Sequence, residues 1–340
     1  MPTPSARSSW RCRTTGTANW GRARSPSDRC PRILPVLKRL FTGALAAFFL
    51  LAGAPAWAGL PTFCDRADHI TAADQDRVLR FAAAVKTELA RSGERVALIA
   101  RSGTDLSRFD LVYSHTGIAI KDDADAPWNV RQLYYACDES RPRLFDQGIA
   151  GFALGADAPL RGHVALLFLP GEQAAALARA AADKRLALAL LAGRYSANAY
   201  VFGTRYQNCN QWVAELLANA WGHLDEGDGL ATARAAAQAW LHAQGYGAAT
   251  VRIPSHLALF AGQFVPLVHL DDHPPDDLYA LALHVSLPAT IEDFVRRQAP
   301  AARRVELCHD QAHIVVRHGW EPLGAGCEAR PGDEVIALDP

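Results

Sequence analysis

From Thr71 onward the chain switches repeatedly between two hydrophobic periods. Val78, Phe81, Ala82, Val85 and Leu89 recur at helical spacing between Thr71 and Ser92-Gly93, which predicts an amphipathic helix with a threonine at its start. Short apolar runs follow, from Val96 to Ala100, from Leu111 to Ile120 (containing "YSHTGIAI") and from about Val130 to Ala136, and each reads as a strand. "HVALLFL", His163 to Leu169, is a further strand ended by Pro170-Gly171, and the Ala/Leu-rich stretch from Glu172 to Leu191 reads as a helix. An irregular aromatic segment, "RYSANAYVFGTRYQN", leads into a helix that starts at Asn208 and stops at Gly222. Another Ala-rich helix runs from about Leu230 to Ala243. Beyond it the pattern predicts strands over Phe264–Leu270 and Tyr279–Val285, a short helix in "PATIEDFVRRQ", and strands over Arg304–Cys308, Ile314–Arg317 and Glu334–Leu338. Helices and strands in this order place the chain in the α+β class, with a core over 59–247 and a β-rich part over 248–340 packed on it.

The N-terminal pattern differs. Lys38 and Arg39 precede an apolar run from Leu40 to Gly53 that ends in Ala56-Trp57-Ala58, the layout of a secretion signal over 36–58 with cleavage before Gly59. Residues 1–35 are rich in Arg, Ser, Thr and Pro without periodicity and read as an extension upstream of the true start. This implies a periplasmic or secreted protein that meets a membrane only through the signal segment.

Charge sharpens the same division. The chain holds 35 basic and 35 acidic residues, and residues 1–58 take nine of the basic ones against Asp28 alone, which leaves a net charge of about −8 on residues 59–340. An acidic domain without a basic stripe is a poor match for nucleic acid or anionic lipid, because phosphate binding needs clustered Lys and Arg. No phosphate-cradling loop, dinucleotide glycine pattern or G-x-S-x-G elbow is present, so no cofactor is expected. "HLDDH" (His269, Asp271, Asp272, His273) and "CHDQAH" (Cys308, His309, His313) have superficial ligand spacing but no second matching half, so no metal site is expected either.

Of the seven cysteines, Cys64, Cys137, Cys209, Cys308 and Cys327 remain after residue 58. In an oxidising compartment an odd count suggests structural pairs plus one free thiol. Sequence neighbourhood favours Cys308 with Cys327 and Cys64 with Cys137, which leaves Cys209 unpaired.

On the helix from Asn208, positions 209, 212, 213, 216, 217 and 220 share one apolar face, so Cys209 points toward the core. It can be read as a small packing group, since free cysteine is commonly buried. It can also be read as a nucleophile, because a helix N-terminus stabilises a thiolate and a histidine could complete the pair. His115 is the candidate base: Tyr113, His115, Gly117 and Ala119 share a strand face, and the small residues there would let a helix terminus approach closely. The next strand offers Asn129, Gln132 and Tyr134 as a group to orient the histidine, and Gln132 is the choice. Tyr113, Arg101, Asp105, Asn208 and Trp212 are candidate substrate contacts, and "RPRLFDQG" adds Arg141, Arg143 and Asp146.

"YSHTGIAI" followed by "NCNQWVAELL" resembles the circularly permuted branch of the papain-like NlpC-type superfamily, the branch that includes the lecithin retinol acyltransferase-like proteins. The resemblance implies an antiparallel sheet packed on the cysteine helix. It also implies a thiol hydrolase of amidase or peptidase type acting on cell-envelope peptide or acyl groups, with Cys209 as nucleophile and His115 as general base. A catalytically inactive envelope binding module on the same fold is the alternative. The chain is also similar to an uncharacterised family of exported bacterial proteins, through "FCDR", "YSHTGI", "RPRLFDQG" and "RYQNCNQWV".

Overall fold

The structure, a computed structural model, describes residues 71–338 apart from 105, 110, 124, 156–160 and 225–231. Residues 1–35, the signal-like segment 36–58, Cys64 and Asp105 therefore lie outside the described residues. Thr71 caps helix α1 (Ala72–Arg91) by accepting from the Asp74 amide at 3.1 Å, and the apolar positions of the period are buried. Strands β1 (Val96–Arg101), β2 (His115–Ile120) and β3 (Asn129–Ala136) follow.

Strand β4 (Arg141–Gly148) and the short helix α2 (Ile149–Leu154) escape the hydrophobic pattern. β4 has no apolar alternation and is mostly exposed, and backbone pairing defines it: it runs antiparallel to β3 from Asn129↔Gly148 to Ala136↔Arg141. After β5 (Gly162–Phe168), the single helix expected over 172–191 divides into α3 (Gly171–Ala182) and α4 (Lys184–Ala189). Asp183 makes the break, since its backbone is extended and its carboxylate accepts from the Arg185 and Leu186 amides to start the second helix.

Helices α5 (Cys209–Gly222) and α6 (Ala233–Ala243) lie where the sequence puts them. Then come β6 (Ala249–Arg252), α7 (His256–Gly262), α8 (Pro275–Tyr279), β7 (Ala282–Val285) and α9 (Pro288–Gln298). The strand expected over Phe264–Leu270 is absent: Pro266 offers no amide to a ladder, and Leu267 takes a left-handed backbone (φ 63°). β8 (Arg303–His309), β9 (His313–His318) and β10 (Glu334–Ala337) complete the chain.

Eight strands form one antiparallel sheet in the order β10-β9-β8-β5-β1-β2-β3-β4, so the C-terminal strands extend the same sheet as the earlier ones, and β6 and β7 make a separate pair. Alternation along the central strands supplies two cores. Leu98, Ile118 and Leu133 face Cys209, Trp212 and the buried sides of α3, α5, α6 and α9, whereas Ile99, Ala119 and Val130 face α1 and Phe152 of α2. The coarse expectation of an α+β fold with a large antiparallel sheet holds, with helices on both faces of that sheet.

Candidate functional site

The N-terminus of α5 sits against the start of β2, where β2 pairs with β3 only from Ile118↔Arg131 to Ile120↔Asn129. Asn208 is the N-cap, and its Oδ1 accepts from the Gln211 amide at 2.8 Å while its Nδ2 donates to the Ser286 carbonyl at 3.1 Å. Asn210 Nδ2 ties the helix start to the Ser114 and Ser286 carbonyls, each at 3.2 Å. These amides fix Cys209 beside β2, with its Sγ 4.0 Å from the Ser114 carbonyl oxygen.

Cys209 is free, 5% exposed and part of the α5-side core. Burial pushes its thiol up to about 11. Hydrogen bonding from the Thr116 amide, the charge of Arg101 and the first amides of the helix act the other way and are outweighed. The half-buried Tyr195 packs against this core, and burial, with Cys209 nearby, raises its phenol well above its ordinary value.

His115 belongs to different surroundings. It pairs across the strands with Arg101, its ring lies 5.9 Å from that of Phe152, and its Nε2–H donates to Gln132 Oε1 at 2.6 Å. Gln132 Nε2 donates in turn to Gln147 Oε1 at 2.6 Å, so the histidine is held by a chain of neutral amides. Burial, reinforced by the nearby Arg101 charge, lowers its pKa to about 3, and the bond to Gln132 only partly opposes this. Among the described residues no carboxylate bonds the imidazole to stabilise an imidazolium.

Among the described residues no hydrogen bond joins Cys209 to His115. At neutral pH the two groups are a protonated thiol and a neutral imidazole, the reverse of an activated pair. This overturns the thiol-hydrolase expectation, with its roles for Cys209, His115 and Gln132, and with it the papain-like, NlpC-type cysteine hydrolase reading. Gly117 is corrected too: a Cβ there would lie 2.6 Å from Val130 Cγ1 and 3.1 Å from the Arg131 carbonyl, so its small size serves β3 rather than a helix terminus.

The remaining candidates are engaged within the fold. Tyr113 Oη–H donates to Glu306 Oε1 at 2.5 Å, and Trp212 is fully buried with its indole N–H donating to the Ala187 carbonyl at 3.2 Å. Arg101 lies over the Phe152 ring and donates to the carbonyls of Ser102 and Gly155. Arg141 and Arg143 bond Glu139, and Asp146 receives both forks of Arg131 at 2.7 Å. "HLDDH" and "CHDQAH" do not converge: His269 stacks on Tyr206, His273 bonds the Asn198 carbonyl, and no group of three or more His, Cys, Asp or Glu side chains able to hold a metal is found among the described residues. Cys308 is disulfide-bonded to Cys327, and Cys137 is disulfide-bonded as well, with its expected partner Cys64 outside the described residues.

The sequence reading missed the polar side of α5. Glu215 is completely buried and receives four donors: Arg234 Nε at 2.8 Å, Arg234 Nη2 at 2.9 Å, and Gln207 Nε2 and Gln238 Nε2 at 2.6 Å each. Its carboxyl is nevertheless pushed up, because burial outweighs those donors. A charged side chain at 215 on a helix with one apolar face reads as exposed, and nothing local announces partners from α6.

The chain belongs to a bacterial family described as "Uncharacterized protein conserved in bacteria (DUF2145)", whose model matches residues 88–295. That span includes α5 and β2 but stops before β8 and the Cys308–Cys327 disulfide. No curated protein and no solved structure matches the chain.

Proposed function

We propose that the protein is a non-catalytic binding module of the cell envelope, periplasmic or secreted, with an envelope peptide or acyl group as its ligand. The observation that carries the non-catalytic reading is the state of the two expected catalytic groups. Cys209 is a buried neutral thiol, and His115 is a buried neutral imidazole committed to Gln132. Export is supported by the signal-like pattern over 36–58 and by the disulfides at Cys308–Cys327 and Cys137, which suit an oxidising compartment. No helix among the described residues is long and apolar enough to cross a membrane.

The test is the rate at which Cys209 reacts with iodoacetamide at neutral pH. A binding module gives a rate no faster than that of a model thiol and unchanged by His115→Ala. Accelerated labelling that His115→Ala abolishes would sink the proposal. Mature protein beginning upstream of Gly59, recovered only from the cytoplasm, would remove the envelope from it.

A further inference from the structure

Large apolar side chains are exposed at nine positions among the described residues, and four of these, Leu257, Phe260, Phe264 and Tyr279, fall in one small part of the fold. It is built from α7, the turn after it and α8, beside the β6–β7 pair. The inner side of this part has its own small core, in which Leu259 packs on Leu270, Leu283, Val285 and Leu287. Its outer side should then be polar, as on any helix half-buried on a domain. It is not: Leu257 is 76% exposed, Phe264 72% and Tyr279 83%.

The outer residues are continuous. His256, Phe260 and Phe264 follow one another at four-residue spacing, the rings of Phe260 and Phe264 lie 5.4 Å apart, and the His256 ring lies 6.1 Å from that of Tyr279. The stretch from Ile253 to Leu270 contains no Asp, Glu, Lys or Arg, in a chain that is 21% charged. An apolar patch this concentrated on a soluble face marks a surface that meets a partner.

We infer that this patch docks the protein on the surface of a phospholipid bilayer, with Phe260, Phe264 and Leu257 entering the acyl boundary and Tyr279 and His256 at headgroup level. Three observations choose a bilayer over a second protein surface. Leu257, Phe264 and Tyr279 stand about three-quarters clear of the fold and Phe260 more than half, so a rigid partner would need a matching pit for each, whereas fluid hydrocarbon closes around them. Their exposed area is on the order of 500 Å², below the ~800 Å² per partner of a stable protein interface. Finally, aromatic rings with one polar edge beside aliphatic ones are the composition of membrane-interface belts. The charges present set the lipid preference: the stretch from Ile253 to Leu270 is uncharged, and the acidic residues beside it, Asp276 and Asp277 of α8, together with the acidic body of the protein, are repelled by anionic headgroups. The inference concerns a surface separate from Cys209 and His115 and does not depend on the function proposed for the protein.

Co-sedimentation with phosphatidylcholine vesicles tests it, using protein purified after expression of the full chain, at low and high salt. The wild type is expected to bind equally at both salts and less well when a third of the lipid is phosphatidylglycerol, and Phe260→Ser/Phe264→Ser is expected to bind at least tenfold more weakly. Hydroxyl-radical footprinting of the wild type gives a local readout that any N-terminal apolar segment cannot mimic. Leu257, Phe260, Phe264 and Tyr279 are expected to be several-fold protected on vesicles. Equal binding of the double variant, unchanged footprints, or a shift from dimer to monomer in the variant without lipid would each overturn the inference.

Discussion

Helices α5 and α7 break the usual distribution of polar and apolar residues in opposite directions. α5 buries Asn210, Gln211, Glu215 and Asn219 along with its apolar face, while α7 shows leucine and phenylalanine to solvent. In α5 the Asn210 and Gln211 donors and the Glu215 carboxylate are matched from elsewhere: Asn210 Nδ2 reaches the carbonyls of Ser114 and Ser286, Gln211 Nε2 those of Tyr200, Val201 and Gly203, and Glu215 gathers Arg234, Gln207 and Gln238, while the side-chain oxygens of Asn210, Gln211 and Asn219 are buried without a partner among the described residues. Burial there is complete and specified by hydrogen bonds, which favours one arrangement of neighbouring loops over others. In α7 nothing among the described residues covers the outer side, which is the surface proposed to meet a bilayer. Polar groups kept inside mark where the fold is fixed, and apolar groups kept outside mark the surface for which a bilayer is proposed.

The largest expected effect would break the first half of that contrast. Arg234→Ala leaves Glu215 buried without its only cationic partner among the described residues, and removing one member of such a pair typically costs about 3–5 kcal/mol. Urea unfolding should show that loss, and adding Glu215→Leu should recover much of it. A cost under about 1 kcal/mol would mean that the carboxyl is solvated or protonated without penalty.

Acid should act on the buried polar side as well. His115 is held neutral down to about 3 and His163 down to about 4, both mainly by burial. The unfolded chain takes up the same protons below its ordinary value of 6.5. Between 6.5 and about 4 the unfolded state therefore binds more protons, and stability falls as pH falls, by up to about 1.4 kcal/mol per pH unit for each group. Denaturation midpoints measured from pH 7 to pH 5 should show this decline, and His115→Gln should flatten it. Parallel slopes for wild type and variant would place His115 in contact with water.

The smallest effect is the most informative about α7. Phe264→Ser removes a large aromatic ring, yet with the ring 72% exposed the change in stability should stay within about 0.5 kcal/mol. A loss as large as that of a core phenylalanine would show that the outer surface is covered by the chain itself.

Periodicity made the interior strands and the longer helices readable. α1 carries both the helical spacing and its Thr71 cap, and β1, β5 and α9 are bounded by clear turn residues. β4 was hidden because its sequence, RPRLFDQG, shows no apolar alternation and its existence depends on pairing with β3. The run Phe264–Leu270 misled for the opposite reason, since an apolar stretch without a period does not distinguish strand from turn until Pro266 and Leu267 are weighed. At the site, Cys209, His115 and Gln132 were legible as residues, and the structure brings His115 and Gln132 within 2.6 Å. Their protonation was not legible. A helix N-terminus favours a thiolate locally, but desolvation is set by everything packed around the sulfur, and here it prevails.

The pairing of β5 with β8 also bears on how the chain is made. β5 lies inside the finished sheet, flanked by β1 and by β8, whose register with it runs from Gly162↔His309 to Phe168↔Arg303. A growing chain can assemble β1 to β5 early, yet one side of β5 must stay open until everything from Gly171 to Ala302 has been synthesised. During that interval the row of unpaired amides on a strand of wholly buried residues is an invitation to self-association. The late β8–β9 hairpin, whose β8 is tied by the Cys308–Cys327 disulfide to the segment after β9, is the piece that ends the exposure, which makes arrival of the C-terminal strands the step that separates a folded molecule from an aggregating one.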